Sequence, residues 1–288
     1  MKTLIKIGFP ALMILVMMMA CDKVEAPYYT SRPLNNDTTG ADTNRRTILL
    51  EDYTGHLCTN CAPAATVARN IQEAFENKVF VIAVHAGSFA RPVPGNALYS
   101  LDLRSEAGND WYGYSTFNID QNPKGMVNRR SYNGNISFGT SEWTGAVLAD
   151  TALPKIAILT VKNEFSADSL LTAKIGVKFL SSYSGNVTLT VCILEDEIYG
   201  GQKNIIPPDS TPEIKRYRFM HVLRGSMNGS WGEQIASNPA AGFALNKVYT
   251  ADFEGKGWVP GHCSVIAFIS DAETREVLHV AKSGEIGL

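Results

Sequence analysis

The chain has little of what most catalytic and nucleic-acid-binding classes require. Lys and Arg number 26 against 28 Asp and Glu, and no basic stripe exists to neutralise phosphates, so no nucleic-acid partner is expected. Beyond the N-terminus no long apolar run recurs, and no transmembrane helix is expected. The sequence has no nucleophile-elbow serine, no phosphate-cradling glycine loop and no H-E-x-x-H pair. It has one C-x-x-C and no second, and His85 and His221 lack ligand spacing, so a four-ligand zinc site is not expected. Ala62 stands where haem attachment to a C-x-x-C would need His. No cofactor and no metal is implied.

What is present starts at the first residues. Lys2 and Lys6 precede an apolar run from about Ile7 to Met19, which ends at Ala20-Cys21. A basic start, a short apolar stretch and a small residue before the cut make a secretory signal. A run of about thirteen residues is too short to span a bilayer. The Ala20-Cys21 junction resembles the lipobox of bacterial lipoproteins, although Met18 stands where Leu is more usual. That resemblance implies lipidation of Cys21 and a membrane partner through the anchor. Several acyl chains would make such anchoring stable, because one holds only marginally. Removing the twenty signal residues leaves 268, with a net charge near −4 once Lys2 and Lys6 are gone.

Residues 21–46 read as a flexible tether, polar and without periodicity. Residues 47–153 read as an α/β domain. "TILLEDY" is a buried strand, and Val67, Ile71, Ala74 and Phe75 share one helix face. "VFVIAVH" is a second buried strand, so the three elements form a βαβ unit. A long polar and aromatic stretch follows to Asn122, helical near Leu101–Tyr114. Asn133-Gly134 marks a hairpin turn, and a helix over about Ser141–Ala152 closes the domain. Residues 154–288 read as all-β, with about seven strands and one longer loop at about Tyr199–Glu213. Strands without helices suggest a β-sandwich of immunoglobulin or fibronectin type. "RYRFMHVLRGSMNGSWGE" reads as a strand with a Gly-rich turn, or as a binding edge.

The C-x-x-C carries the chemistry. Cys58 and Cys61 sit between strand and helix, where unpaired N–H groups and the helix dipole favour a thiolate. Cys58 would be the exposed nucleophile that attacks a partner disulfide, and Cys61 would then resolve the mixed disulfide. His56 is either an imidazolium that helps the thiolate or an exposed turn residue. Export places Cys58, Cys61, Cys192 and Cys263 where disulfides persist. Cys192 and Cys263 lie in two predicted strands, and two readings stand. One is a structural disulfide closing a long loop; the other is a pair of buried thiols.

"ILLEDYTGHLCTNC" resembles the strand and active-site turn of the thioredoxin fold. The resemblance implies a thioredoxin-like domain at 47–153. It also implies a proton-transfer role for Asp52, six residues before Cys58, and a cis-proline at Pro123 facing the disulfide. A cis X–Pro there would present backbone for a substrate chain. Leu57 and Thr59-Asn60 depart from the fold's usual Trp and Gly-Pro, so partner contacts and redox potential do not carry over. The alternative for the acid is that Glu51 faces inward and Asp52 lies at the surface.

The lipobox, the "TGHLCTNCAPA" turn, "CILEDEI" and "HVLRGSMNG" together resemble the outer-membrane-protein-28-related lipoproteins of Bacteroidetes. The resemblance spans nearly all of the mature chain and implies an outer-membrane location, periplasmic or surface-exposed. Two functions follow. One is thiol–disulfide exchange at Cys58 and Cys61, with Asp52 and Pro123 assisting, on envelope proteins that carry cysteines or disulfides. The other is a non-catalytic adhesion or ligand-binding lipoprotein with a structural Cys58–Cys61 disulfide.

Overall fold

A computed structural model describes residues 45–76, 78–205 and 212–287. The expected signal peptide, Cys21 and most of the tether lie outside the described residues. The first strand, β1 (Ile48–Thr54), is buried along its whole length, its acids Glu51 and Asp52 included, as a strand covered on both faces must be. It leads through the C-x-x-C turn into α1 (Cys61–Ala74) and then β2 (Val79–His85). β1 and β2 pair in parallel, from Ile48 opposite Val79 to Thr54 opposite His85. A parallel pair needs such a crossover, and α1 supplies it.

The buried face of α1 differs from the expected one. Ala64, Ala68 and Ile71 are buried, while Val67 and Phe75 are half-buried and Ala74 is exposed. Small residues carry the contact, so the helix approaches the sheet closely and the larger side chains pack at its margins. The polar stretch after β2 contains α2 (Glu106–Tyr112), capped by the Ser105 hydroxyl, which accepts from Gly108 N–H. β3 (Lys124–Val127) lies antiparallel to β1. Asn133 and Gly134 both adopt positive φ in a tight turn closed by Tyr132 and Asn135, the conformation that this dipeptide favours. α3 (Thr140–Thr151) follows within a residue of expectation.

Ten strands come next: β4 (Ala157–Phe165), β5 (Leu170–Phe179), β6 (Asn186–Glu195), β7 (Ile198–Lys203), β8 (Glu213–Phe219), β9 (Val222–Ser226), β10 (Glu233–Ser237), β11 (Ala244–Asp252), β12 (Cys263–Asp271) and β13 (Val277–Glu285). Three features differ from the sequence reading, the first being β10, which was not among the seven strands expected. The expected loop at Tyr199–Glu213 contains β7, which pairs antiparallel with β8. The expected single strand "RYRFMHVL" breaks at Met220-His221, where His221 has φ 57°. Its two parts join different sheets.

The large sheet has the order β13-β12-β6-β9-β2-β1-β3, with β10 also paired to β6. It runs across residue 154, where a domain boundary was expected. The junction is narrow: β9 meets β2 at Ala83 opposite Val222, and Ala83 N–H donates to His221 O at 2.8 Å. The described residues fall in one compact unit. Helices α1 and α3 cover one face of β1–β3 around Ile48, Leu50, Val81 and Trp143. Trp111 of α2, with Phe117, covers the other face and packs on Phe268 and Leu194 from β12 and β6. A three-stranded sheet, β11-β5-β4, packs on the far face of β6 and β12. The architecture is therefore mixed α/β, dominated by sheets, with three α-helices among the described residues.

Candidate functional site

Cys58 and Cys61 are joined in a disulfide, with Cα atoms 5.5 Å apart. The turn is local: Cys58 N–H donates to Gly55 O, and Cys61, the first residue of α1, donates to Cys58 O. The expected placement between strand and helix start is what the structure has. The expected opening to solvent is not. Cys58 is 3% exposed and Cys61 1%, although Thr59 and Asn60 between them are exposed.

Two segments cover the turn. From the stretch after β2, Phe89 O accepts Leu57 N–H at 2.9 Å. From β7 and the residues after it, Lys203 N–H donates to His56 O at 2.8 Å and Ile205 N–H to Thr59 O at 3.1 Å. The Gln202 side-chain amide donates to Cys58 O at 2.8 Å and also reaches Gly55 O. Glycine makes this closeness feasible. A Cβ on Gly55 would lie 2.5 Å from the Phe89 carbonyl carbon, and one on Gly201 would lie 2.4 Å from Leu98 Cγ. Gln202, Lys203 and Phe89 were missed by sequence reasoning. The Gly200-Gly201 pair was the available signal, because adjacent glycines inside a strand mark close backbone approach.

His56 follows neither expected reading. It is buried, its ring stacks on Tyr99 at 5.7 Å, and Nε2 lies 3.0 Å from Arg91 O. Burial lowers its pKa, so the ring is neutral near pH 7 and supplies no positive charge to a thiolate. His85 is buried against Phe219, and burial lowers its pKa to about 3.

Glu51 and Asp52 are both buried, and alternation along β1 sends them to opposite faces. The alternative that placed Asp52 at the surface is thereby corrected. Glu51 accepts two hydrogen bonds from Arg129, at 2.8 and 2.9 Å. Asp52 lies on the α1 face, 2% exposed, and burial raises its pKa to about 7. Its Oδ1 has no hydrogen-bond partner among the described residues. The Asn122–Pro123 peptide is cis, as expected, and leads into β3.

Cys192 and Cys263 do not form the disulfide weighed from the sequence; both are free and buried. Register explains this. Cys192 lies opposite Ile266 and Cys263 opposite Glu195 on the paired strands β6 and β12. Cys192 packs on the face with Trp111, and Cys263 packs on the face toward β4 and β5. Among the described residues no three His, Cys, Asp or Glu side chains are grouped to hold a metal ion. No helix among them is long and apolar enough to cross a membrane.

Comparison with known proteins bears on the rest of the chain. Residues 112–285, more than half of the sequence, match the family model described as outer membrane protein Omp28. The chain belongs to the Omp28 family. As an Omp28-family protein it is assigned to the outer membrane. The match begins after the C-x-x-C turn, so membership by itself assigns nothing to Cys58 and Cys61. HBP35 of Porphyromonas gingivalis is similar in fold, with a TM-score of 0.60 and 17% identity over 84% of this chain and 77% of that one. A domain of the outer membrane lipoprotein Omp28 from the same organism matches with 20% identity and a TM-score of 0.31, over 46% of this chain and 88% of that one. No curated protein matches the sequence.

Proposed function

We propose that this Omp28-family lipoprotein is a non-catalytic binding module of the cell envelope in which Cys58–Cys61 is a structural disulfide. In this reading residues 47–153 form a thioredoxin-like domain whose redox turn is sealed. Residues 154–288 form an immunoglobulin-like sandwich that presents a surface to a protein or glycan. The lipid on Cys21 holds both at the membrane. The β1-α1-β2 crossover with a C-x-x-C at the start of α1 supports the thioredoxin-like assignment. The carrying observation is the burial of both cysteines beneath Phe89 and β7. Disulfide exchange needs a thiolate to reach a sulfur, and its rate falls with access.

Thiol–disulfide exchange on envelope proteins is the second reading, and Asp52 favours it. A buried carboxyl with pKa about 7 behind the α1 start could accept a proton from Cys61 as that thiol resolves a mixed disulfide. Lifting of β7 would then be required for Cys58 to react. The Cys61→Ser protein separates the readings. Under native conditions Cys58 is expected to stay unreactive toward disulfide probes and to trap no envelope protein. Rapid labelling, or mixed disulfides that disappear in a Cys58→Ser control, would establish exchange instead.

A further inference from the structure

A cavity of about 430 Å³ lies beside α1, within the size range of small-molecule sites. One part of its wall is small and apolar, with Ala65 and Ala68 from α1, Val81 and Ala83 from β2, and Met220 beyond β8, while the rest, Thr66 and Gln72 included, is largely polar or charged. Tyr217 of β8 and Asp52 of β1 also line it, and Asp52 is its buried acid. The other charged lining groups have partners of their own. Arg69 lies 4.0 Å from Glu73, Arg218 is paired with Glu197, and the His221 ring is 3.0 Å from Asp196. None of them serves Asp52, whose Oδ1 has no partner among the described residues.

We infer that this cavity binds a small aliphatic amine, its apolar chain between α1 and Met220 and its ammonium group against the Asp52 carboxylate. A buried polar oxygen without a donor is costly, and a charged donor relieves that cost most. The apolar part of the wall suits a short hydrocarbon body. The raised pKa of Asp52 fits the same picture, because the isolated carboxyl resists ionisation until a cation arrives. Tyr217 does not compete as a charge, since burial raises its pKa to about 12. The inference does not depend on whether Cys58–Cys61 exchanges, because neither cysteine lines the cavity.

The test is calorimetric titration of the full-length protein with n-hexylamine and, as the uncharged probe, 1-hexanol. At pH 8 the amine is expected to bind saturably and at least about tenfold more tightly than the alcohol. Below about pH 7 the amine's affinity should fall by up to about tenfold per pH unit, because binding must then expel the Asp52 proton. Asp52→Asn should remove the preference for the amine, and Ala65→Phe should block both probes by filling the space. His221→Gln should keep the pH dependence, which separates Asp52 from the histidine in the wall. Unfolding curves check that each variant is folded. Equal affinity for the two probes, no saturable binding of either, an unchanged preference in folded Asp52→Asn, or a pH dependence lost in His221→Gln would each overturn the inference.

Discussion

Glu51 and Asp52 are neighbours in sequence and lie under different regimes of the same strand. Toward α2, Glu51 is held by two charge-assisted hydrogen bonds from Arg129. The guanidinium lies 4.6 Å from the Trp111 ring centroid and 5.2 Å from those of Phe117 and Phe268. Cation–π contact and pairing together compensate the loss of water. Toward α1, Asp52 has an oxygen without a partner and a pKa near 7. One buried acid is neutralised by a cation and the other by a proton. The first arrangement ties β1 to β3 and α2, and the second leaves an acid poised to change charge beside a cavity. Structural buried charges come with complete partner sets, whereas an incomplete set on a rigid strand suggests a site.

The comparison is most directly broken at Arg129. Arg129→Met leaves Glu51 buried with no cation, and removal of one member of a buried pair costs about 3–5 kcal/mol. Denaturant unfolding should show that loss, and Glu51→Leu combined with Arg129→Met should restore much of it. On the other face the sign reverses. Asp52 has a folded pKa of about 7 against an ordinary value of 3.8, so the folded state retains its proton where the unfolded chain has lost it. Stability from this group is fully present below about pH 4 and declines as pH rises toward 7. Asp52→Asn is therefore expected to stabilise the protein by roughly 2–4 kcal/mol at pH 8, and by little at pH 4. A destabilised Asp52→Asn at pH 8 would mean that the carboxylate has a partner after all.

This contrast marks where the sequence could be read and where it could not. The elements that carry their own pattern were legible: the apolar stretches of β1, β2 and β12, the Asn133-Gly134 turn, α3, and the alternating strands β4 and β5. The C-x-x-C at the start of α1 was legible because three residues decide it. Whatever depends on distant backbone was not. The Gln202 amide that reaches Cys58 O is 144 residues away in sequence, and β7 with its two glycines reads locally as loop. Register was also hidden. Alternation shows that β6 and β12 have two faces, but only their pairing puts Cys192 and Cys263 on opposite ones. The same limit applied to Glu51 and Asp52, where one acid was expected inside and both are.

Smaller effects sharpen the same distinction. The Cys58–Cys61 link closes a loop with a separation of three residues, so the entropic model gives about 2 kcal/mol or less for its loss. Cys58→Ser/Cys61→Ser should lower the unfolding free energy by that much in denaturant titration. If the disulfide is structural, the double variant should keep ligand binding and membrane localisation. The smallest effect is expected where charge is exposed. Lys174 and Glu164 form a pair at 2.6 Å on β5 and β4, with both side chains largely in water. Such pairs contribute about 0–1 kcal/mol and are screened by salt. Lys174→Ala should cost less than about 0.5 kcal/mol at 0.15 M salt. The hydrogen bond from Lys174 is shorter than either Arg129 contact, yet Arg129→Met is expected to cost several times more. If the two substitutions cost the same, geometry alone would rank the ion pairs of this fold. A large difference would make burial, and the partner set that burial demands, the quantity that separates Glu51 from Asp52.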